Sequence, residues 1–307
     1  MAVATDVDTL VFSFPEVHAD AVLNVRFHRT LRVPDDETTY GLPPSLGAFA
    51  LRGAENPGEV LVPMWQSEAM WISFRAPTNY PFLLKIGVGG LNAITGEPYT
   101  AKPDFDTEDY VETTEQPWLD GFRVDDTTVR QFVAMPLGAG YSVAEQLTGS
   151  DTGAVTFSVI PLKGGVWEQR PKNVPDEMLV AFCAPPPGNA MGLGAGGTIT
   201  QSIATPIEAR ANWSDCAPTE ASVRIVNSSA WQSITDGPPH HQPLTIEDYM
   251  GRGYPWFEWY DESLARQGDS LFAGVQTVKQ VGEDNGEDVL PDNTSFTPST
   301  PIVVGGS

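Results

Sequence analysis

The sequence predicts a mainly β protein: two antiparallel, sandwich-like units related by an internal repeat, with a few short capped helices. Three observations lead there. Short runs rich in Val, Ile, Phe and Thr are separated by turns drawn from Gly 29 and Pro 27, a composition of many short strands rather than of helices. No long segment carries the 3.6-residue period that an all-helical or doubly wound fold needs. Finally, two stretches roughly 140 positions apart spell nearly the same phrase, the mark of one structural unit used twice. The first runs Ile94-Thr95, Glu108-Asp109-Tyr110, Pro117-Trp118-Leu119-Asp120; the second runs Ile234-Thr235, Glu247-Asp248-Tyr249, Pro255-Trp256-Phe257-Glu258.

Read in order, Leu10–Phe14, Ala21–Val33 and Ala48–Leu51 are strand candidates, the second with Val22, Asn24, Arg26 and His28 alternating loosely against Leu23, Val25 and Phe27. Val60–Phe74 is apolar and broken by Gln66, Ser67 and Glu68, and Phe82–Val88 leads into the first copy of the repeat. Val129–Met135 and Ala154–Leu162 each end at a Pro or Gly turn. Pro185-Pro186-Pro187-Gly188 stiffens and turns the chain, after a short apolar run at Met178–Phe182. Thr198–Ile203, Ser222–Asn227 and the second copy follow, then an apolar run at Leu271–Val278. The expected division is an N-terminal unit at 1–168 holding copy 82–120, a second unit at 169–281 holding copy 222–258, and an acidic tail at 282–307.

Asp106–Asp109 and Thr245–Asp248 both set an N-cap residue three before an acid, so each copy is expected to open a short helix. Ser142-Val143-Ala144-Glu145 fits the capping box better still, with a stop at Gly149.

Lys+Arg 17 against Asp+Glu 40 gives a formal charge of −23. That field repels nucleic acid and anionic bilayers, so no nucleic acid is expected as a partner. No apolar run is long enough to span a membrane, and Met1–Leu10 lacks the basic and apolar regions of a signal peptide. The expectation is a soluble, cytoplasmic protein with no membrane insertion, in which Cys183 and Cys216 are free thiols.

Few motifs carry chemistry. Gly192–Gly197 satisfies G-x-G-x-x-G but lacks the strand before it and the helix after it, so a glycine turn is expected rather than a nucleotide site. Gly138–Tyr141 reads as a tight turn into the Ser142 helix. Asp104, Asp106, Glu108 and Asp109 lack the glycine and distal Glu of a calcium loop, and the Glu283–Asp288 run reads as a solvated turn. His240-His241 point to opposite sides of an extended segment and make a poor metal pair. No G-x-S-x-G elbow is present. Neither a cofactor nor a metal site is therefore expected, and no catalytic residue is nominated.

The candidate contacts are Trp118 with Asp120 and Trp256 with Glu258. A Trp can stack on a sugar ring while the carboxylate beside it accepts from the sugar hydroxyls; the other reading is that each Trp plugs the same core hole in its unit, and core burial is the leading expectation. Ile302, Val303 and Val304 form an apolar strand after a polar stretch, and should add to a sheet edge in their own subunit or a neighbour's.

Gln116–Gly121 (QPWLDG), Arg130–Gly138 (RQFVAMPLG) and Met191–Gly197 (MGLGAGG), with Glu145–Gly149 and Pro255–Phe257, resemble segments of a family of bacterial and fungal proteins without an established activity. The resemblance implies a reused architecture and transfers no site residue.

The leading expectation is a non-catalytic structural or protein-interaction protein, self-assembling through its C-terminal strand, with itself or another protein as partner. A carbohydrate-binding β-sandwich is the alternative, and an enzyme on small polar substrates the third. Exposure of Trp118 and Trp256 separates the first two.

Overall fold

A computed structural model describes residues 2–54, 56, 58–171, 190–252, 256–258, 266, 270–287 and 302–303. Among the described residues strand accounts for 37% and helix for 16%, so the fold is mainly β.

The strands are, in chain order, β1 (Ala2–Asp6), β2 (Thr9–Ser13), β3 (Val22–Thr30), β4 (Arg52–Gly53), β5 (Glu59–Met64), β6 (Ala69–Arg75), β7 (Phe82–Val88), β8 (Leu91–Asn92), β9 (Val111–Glu112), β10 (Trp118–Leu119), β11 (Gly121–Arg123) and β12 (Thr128–Pro136). Helix α1 (Val143–Thr148), β13 (Val155–Pro161), α2 (Gly164–Trp167), β14 (Met191–Thr200), β15 (Thr219–Asn227), α3 (Ser228–Thr235), α4 (Ile246–Gly251), β16 (Phe257–Glu258), α5 (Val278–Asn285) and β17 (Ile302–Val303) follow, with short 3-10 turns at Arg210–Asn212 and Leu271–Gly274.

An eight-stranded sheet has the order β1-β2-β3-β6-β12-β11, with β10 also beside β6 and β14 beside β12. A seven-stranded sheet has the order β4-β5-β15-β13-β7-β8, with β9 beside β7. Within these two sheets the β5–β15 pair is parallel and the other pairs are antiparallel. The strands of 169–281 enter sheets built by the first 168 residues: β14 lies along β12, and β15 sits between β5 and β13.

Alternation builds the core. Leu23, Val25 and Phe27 of β3 and Val155, Phe157 and Val159 of β13 are fully buried, and Phe27 meets Phe157 edge-on across the sheets at 5.9 Å. Strand β7 is buried on both faces. Its outer Lys85 donates to the Thr100 hydroxyl (3.0 Å) and the Lys102 carbonyl (2.9 Å) and pairs with Asp109.

The glycine-rich segment is a strand, not a turn. Residues 192–197 run through β14 because their missing side chains admit close neighbours. A Cβ at Gly194 would stand 2.8 Å from Val278 of α5 and 3.0 Å from the Tyr141 carbonyl; one at Gly197 would stand 2.2 Å from the Pro34 carbonyl. A bulge between Arg130 and Phe132 of β12 falls opposite Gly196 and Gly197.

The capping boxes divide. Ser142 accepts from the Glu145 amide and Glu145 from the Ser142 amide, and α1 ends at Gly149 with φ 69. Thr245 and Asp248 form the same reciprocal pair at α4. Asp106–Asp109 is a turn instead, a correction to the expected helix. Asp104 Oδ1 accepts from the amides of Asp106 (2.8 Å) and Thr107 (3.3 Å), and the Arg266 guanidinium donates to the carbonyls of Thr107, Glu108 and Tyr110. Glu108 then lies at φ 52, outside helical space. The Leu271–Val278 run forms a 3-10 turn at Leu271–Gly274 and the start of α5, whose own capping box pairs Thr277 with Gln280. Of the Glu283–Asp288 run, expected as a solvated turn, Glu283–Asn285 form the exposed end of α5, capped by Gly286 at φ 68, and Asp288 lies outside the described residues.

Among the described residues Cys216 is a free thiol. Cys183, the Met178–Phe182 run and the Pro185–Gly188 turn lie outside the described residues.

Candidate functional site

The repeat phrase ends in two different environments. Trp256 is 1% exposed and packs against Tyr249 at 5.2 Å and Tyr40 at 6.4 Å. It is a core ring. Trp118 is only partly buried, packed against the rim of the core. Glu258 lies in β16, its side chain outside the described residues. Trp256 thus offers no ring to a ligand.

Trp118 belongs to a polar, aromatic outer face of the eight-stranded sheet. Strand alternation sends Ile72, Phe74 and Leu119 inward, so Trp71, Ser73 and Trp118 point the other way. Register aligns Arg26, Ser73 and Trp118 across β3, β6 and β10, with His28 and Trp71 in the next row. The His28 ring stacks on Trp71 at 3.9 Å and 12°. Its two nitrogens bond to the hydroxyls of Ser45 (2.9 Å) and Ser73 (2.8 Å). Burial, helped by the Arg26 charge, lowers the His28 pKa to about 4, so the imidazole is neutral at pH 7. Arg26 is half-exposed, oriented by the Thr9 hydroxyl (2.8 Å) and Asp8 (3.5 Å).

Behind this face sits Asp120, 4% exposed. Its carboxylate accepts from Gln201 Nε2 at 2.6 Å, while the Gln201 side-chain carbonyl accepts the Asp120 amide at 3.0 Å. Burial pushes its pKa up to about 7, against the opposing pull of the Trp118 and Gln201 side chains. Of the Trp–acid pair named from sequence, the Trp is partly buried and the acid is inside.

A second polar cluster surrounds Glu68, 1% exposed. Arg29 Nε and Nη2 reach Oε1 at 2.7 and 2.6 Å, the Trp65 amide reaches Oε2 at 2.9 Å, and His240 Nε2 lies 3.2 Å from Oε2. Arg29 Nη2 and Trp65 Nε1 also donate to the His241 carbonyl, at 2.9 and 3.1 Å. His240 Nδ1 stands 3.5 Å from the Ser228 hydroxyl, which completes a serine–histidine–carboxylate series. Ser228 is fully buried at the first position of α3, and Glu68 is already neutralised by Arg29. The series ties residues 240–241 to the sheet rim, and its hydroxyl is buried. In the acidic turn at 104–109 Asp104 and Asp109 accept the turn's own amides and Asp109 also pairs with Lys85, and no metal-holding group of His, Cys, Asp or Glu occurs among the described residues.

Sequence reasoning missed His28, Trp71 and Ser73, although the alternation along β3 and β6 carried the signal. Among the candidate assembly residues, Ile302 and Val303 pair in parallel with Phe257 and Glu258 of the same chain; Val304 lies outside the described residues. No helix among the described residues is long and apolar enough to cross a membrane.

Comparison with family models, curated proteins and solved structures finds no match to this chain.

Proposed function

We propose that the chain is a non-catalytic carbohydrate-binding protein that lays a sugar chain across the outer face of β3, β6 and β10. One observation carries this: of the two Trp residues in the repeated phrase, Trp256 is sealed in the core while Trp118 keeps part of its ring at the surface, beside aligned polar groups. An aromatic face stacks on the C–H face of a pyranose. The Ser73 hydroxyl and Arg26 guanidinium lie in the same row and supply hydrogen bonds to sugar hydroxyls. The surface suits a neutral glycan better than an anionic one, because the chain carries −23. A glycan-array screen tests the proposal: wild-type protein should bind a defined set of neutral glycans, and Trp118→Ala should lose at least tenfold in affinity, about 1.4 kcal/mol. Binding undiminished in Trp118→Ala would refute it.

A structural, self-assembling role is the second reading, favoured by the brevity of the β16–β17 ladder, two residues on each side. So short a pairing is easily exchanged for a neighbour's edge. Deleting residues 297–307 should then lower the mass measured by light scattering; an unchanged monomer would sink that reading.

A further inference from the structure

We propose that the outer face of β3, β6 and β10 selects an N-acetylated sugar, because His28 holds the Ser73 hydroxyl as a donor beside the donor-only guanidinium of Arg26. The proposal rests on the carbohydrate-binding reading of that face and names the substituent that the face would recognise.

A chain of hydrogen bonds sets the direction. The Gly47 amide donates to Ser45 Oγ at 3.1 Å. That hydroxyl stands 2.9 Å from His28 Nδ1, and His28 Nε2 stands 2.8 Å from Ser73 Oγ. The stack on Trp71, at 3.9 Å and 12°, holds the plane of the ring between the two hydroxyls. A neutral imidazole has one donor nitrogen and one acceptor, and the bond made by one nitrogen decides where the proton sits. The depressed pKa of His28 agrees with a neutral ring. With the proton on Nδ1, Ser45 would accept twice and its own proton would meet no acceptor among the described residues. With the proton on Nε2, Ser45 accepts from Gly47 and donates to Nδ1, so both of its polar functions are used. This is also the tautomer that an unconstrained histidine side chain favours in water. His28 Nε2–H then donates to Ser73, whose own proton is left to point outward.

Register carries that donor to the stacking ring. Ser73 lies directly opposite Arg26 on one side and Trp118 on the other. A sugar on Trp118 therefore carries its substituent across Ser73 toward Arg26, two strand spacings of about 4.8 Å away. Arg26 Nε faces the Thr9 hydroxyl at 2.8 Å and Asp8 at 3.5 Å. The Nη groups meet no acceptor among the described residues, on a side chain that is 50% exposed. Two donors thus face the ligand in one row. A sugar hydroxyl accepting from both would leave its own proton beside a guanidinium. An acetamido carbonyl has two lone pairs and no proton on its oxygen, so it matches the pair. A carboxylate offers the same lone pairs, but Asp8 beside Arg26 and the chain's charge of −23 oppose it.

Two measurements on the full chain test this. In NMR of protein labelled with nitrogen-15 histidine, near neutral pH and with His28 assigned through His28→Gln, the proton should sit on Nε2 and leave Nδ1 bare. A proton on Nδ1 overturns the proposal. Calorimetry then compares hexamers of β-1,4-linked glucose and β-1,4-linked N-acetylglucosamine, which differ only in the 2-substituent, with a galacturonate hexamer as the acidic probe. The N-acetylated hexamer should bind about tenfold more tightly than the glucose hexamer, the worth of one good hydrogen bond. Ser73→Ala should shrink that preference to about threefold or less. His28→Gln keeps an N–H in the place of Nε2 and should retain the preference that His28→Leu loses. If these variants do not fold, the wild-type tautomer and the wild-type preference decide. Equal affinity for the two neutral hexamers, or tightest binding of the galacturonate hexamer, overturns the proposal while leaving a sugar-binding face. Failure of every hexamer to bind sinks the carbohydrate reading, and the selection with it, even where the tautomer is as expected.

Discussion

Trp118 and Trp256 follow proline in near-identical phrases, yet one ring lies at the outer face of the eight-stranded sheet and the other is closed beneath Tyr249 and Tyr40. The difference begins upstream. In the first stretch the chain leaves β7 through a hairpin to β8, Ile94 is 1% exposed, and the acidic segment is a turn held by Asp104 and Arg266. In the second, β15 runs straight into α3, Ile234 is 47% exposed, and the acidic segment is the capped helix α4. Similar words take the structure that their neighbours allow. Long-range partners such as Arg266 decide whether a local helix signal is obeyed.

Substitutions can break or sharpen this contrast. Trp256→Ala should cost about 3–5 kcal/mol in chemical denaturation, the usual loss for emptying a core Trp site. A loss below about 1 kcal/mol would place the ring at the surface instead.

The pH dependence of stability comes next, and two groups near Trp118 act in opposite directions. Asp120 is raised from 3.8 to about 7. Between those values the folded protein keeps a proton that the unfolded chain releases, so this group's contribution falls as pH rises from about 4 to about 7. His28 is lowered from 6.5 to about 4. Its folded form refuses a proton that the unfolded chain takes up, so its contribution is lost as pH falls from about 6.5 toward 4. Over the shared window they oppose one another, and Asp120→Asn should expose the His28 slope: stability rising with pH from about 4 to about 6.5. Identical pH profiles for wild type and variant would contradict the assignment.

Trp118→Ala should be milder than Trp256→Ala, about 1–2 kcal/mol, because the ring is only partly buried. Smaller still are the caps. Thr245→Ala should cost about 1 kcal/mol through loss of the α4 box, whereas Asp106→Ala should cost under about 0.5 kcal/mol because no helix starts there.

Much of the fold was legible in local pattern. The strand runs that become β3, β6 and β13 and the boxes at Ser142 and Thr245 depend on neighbours within a few residues, and they form as expected. What was not legible depended on remote partners. Gly192–Gly197 reads as a turn until Pro34, Tyr141 and Val278 are seen pressing on it. Asp106–Asp109 reads as a helix until Arg266 claims its carbonyls. Of the site, the Trp118–Asp120 pair was visible in the phrase itself. Gln201, just past the end of β14, and His28 and Trp71, on other strands, are brought to it only by long-range pairing.

The most direct measurement is fluorine NMR of the chain labelled with 5-fluorotryptophan, with the Trp118 and Trp256 signals assigned by Trp→Phe substitution. A soluble paramagnetic agent should broaden the Trp118 signal and spare that of Trp256, and a glycan that binds should shift Trp118 alone. Equal protection of the two rings, or a glycan-induced shift that bypasses Trp118, would contradict the account.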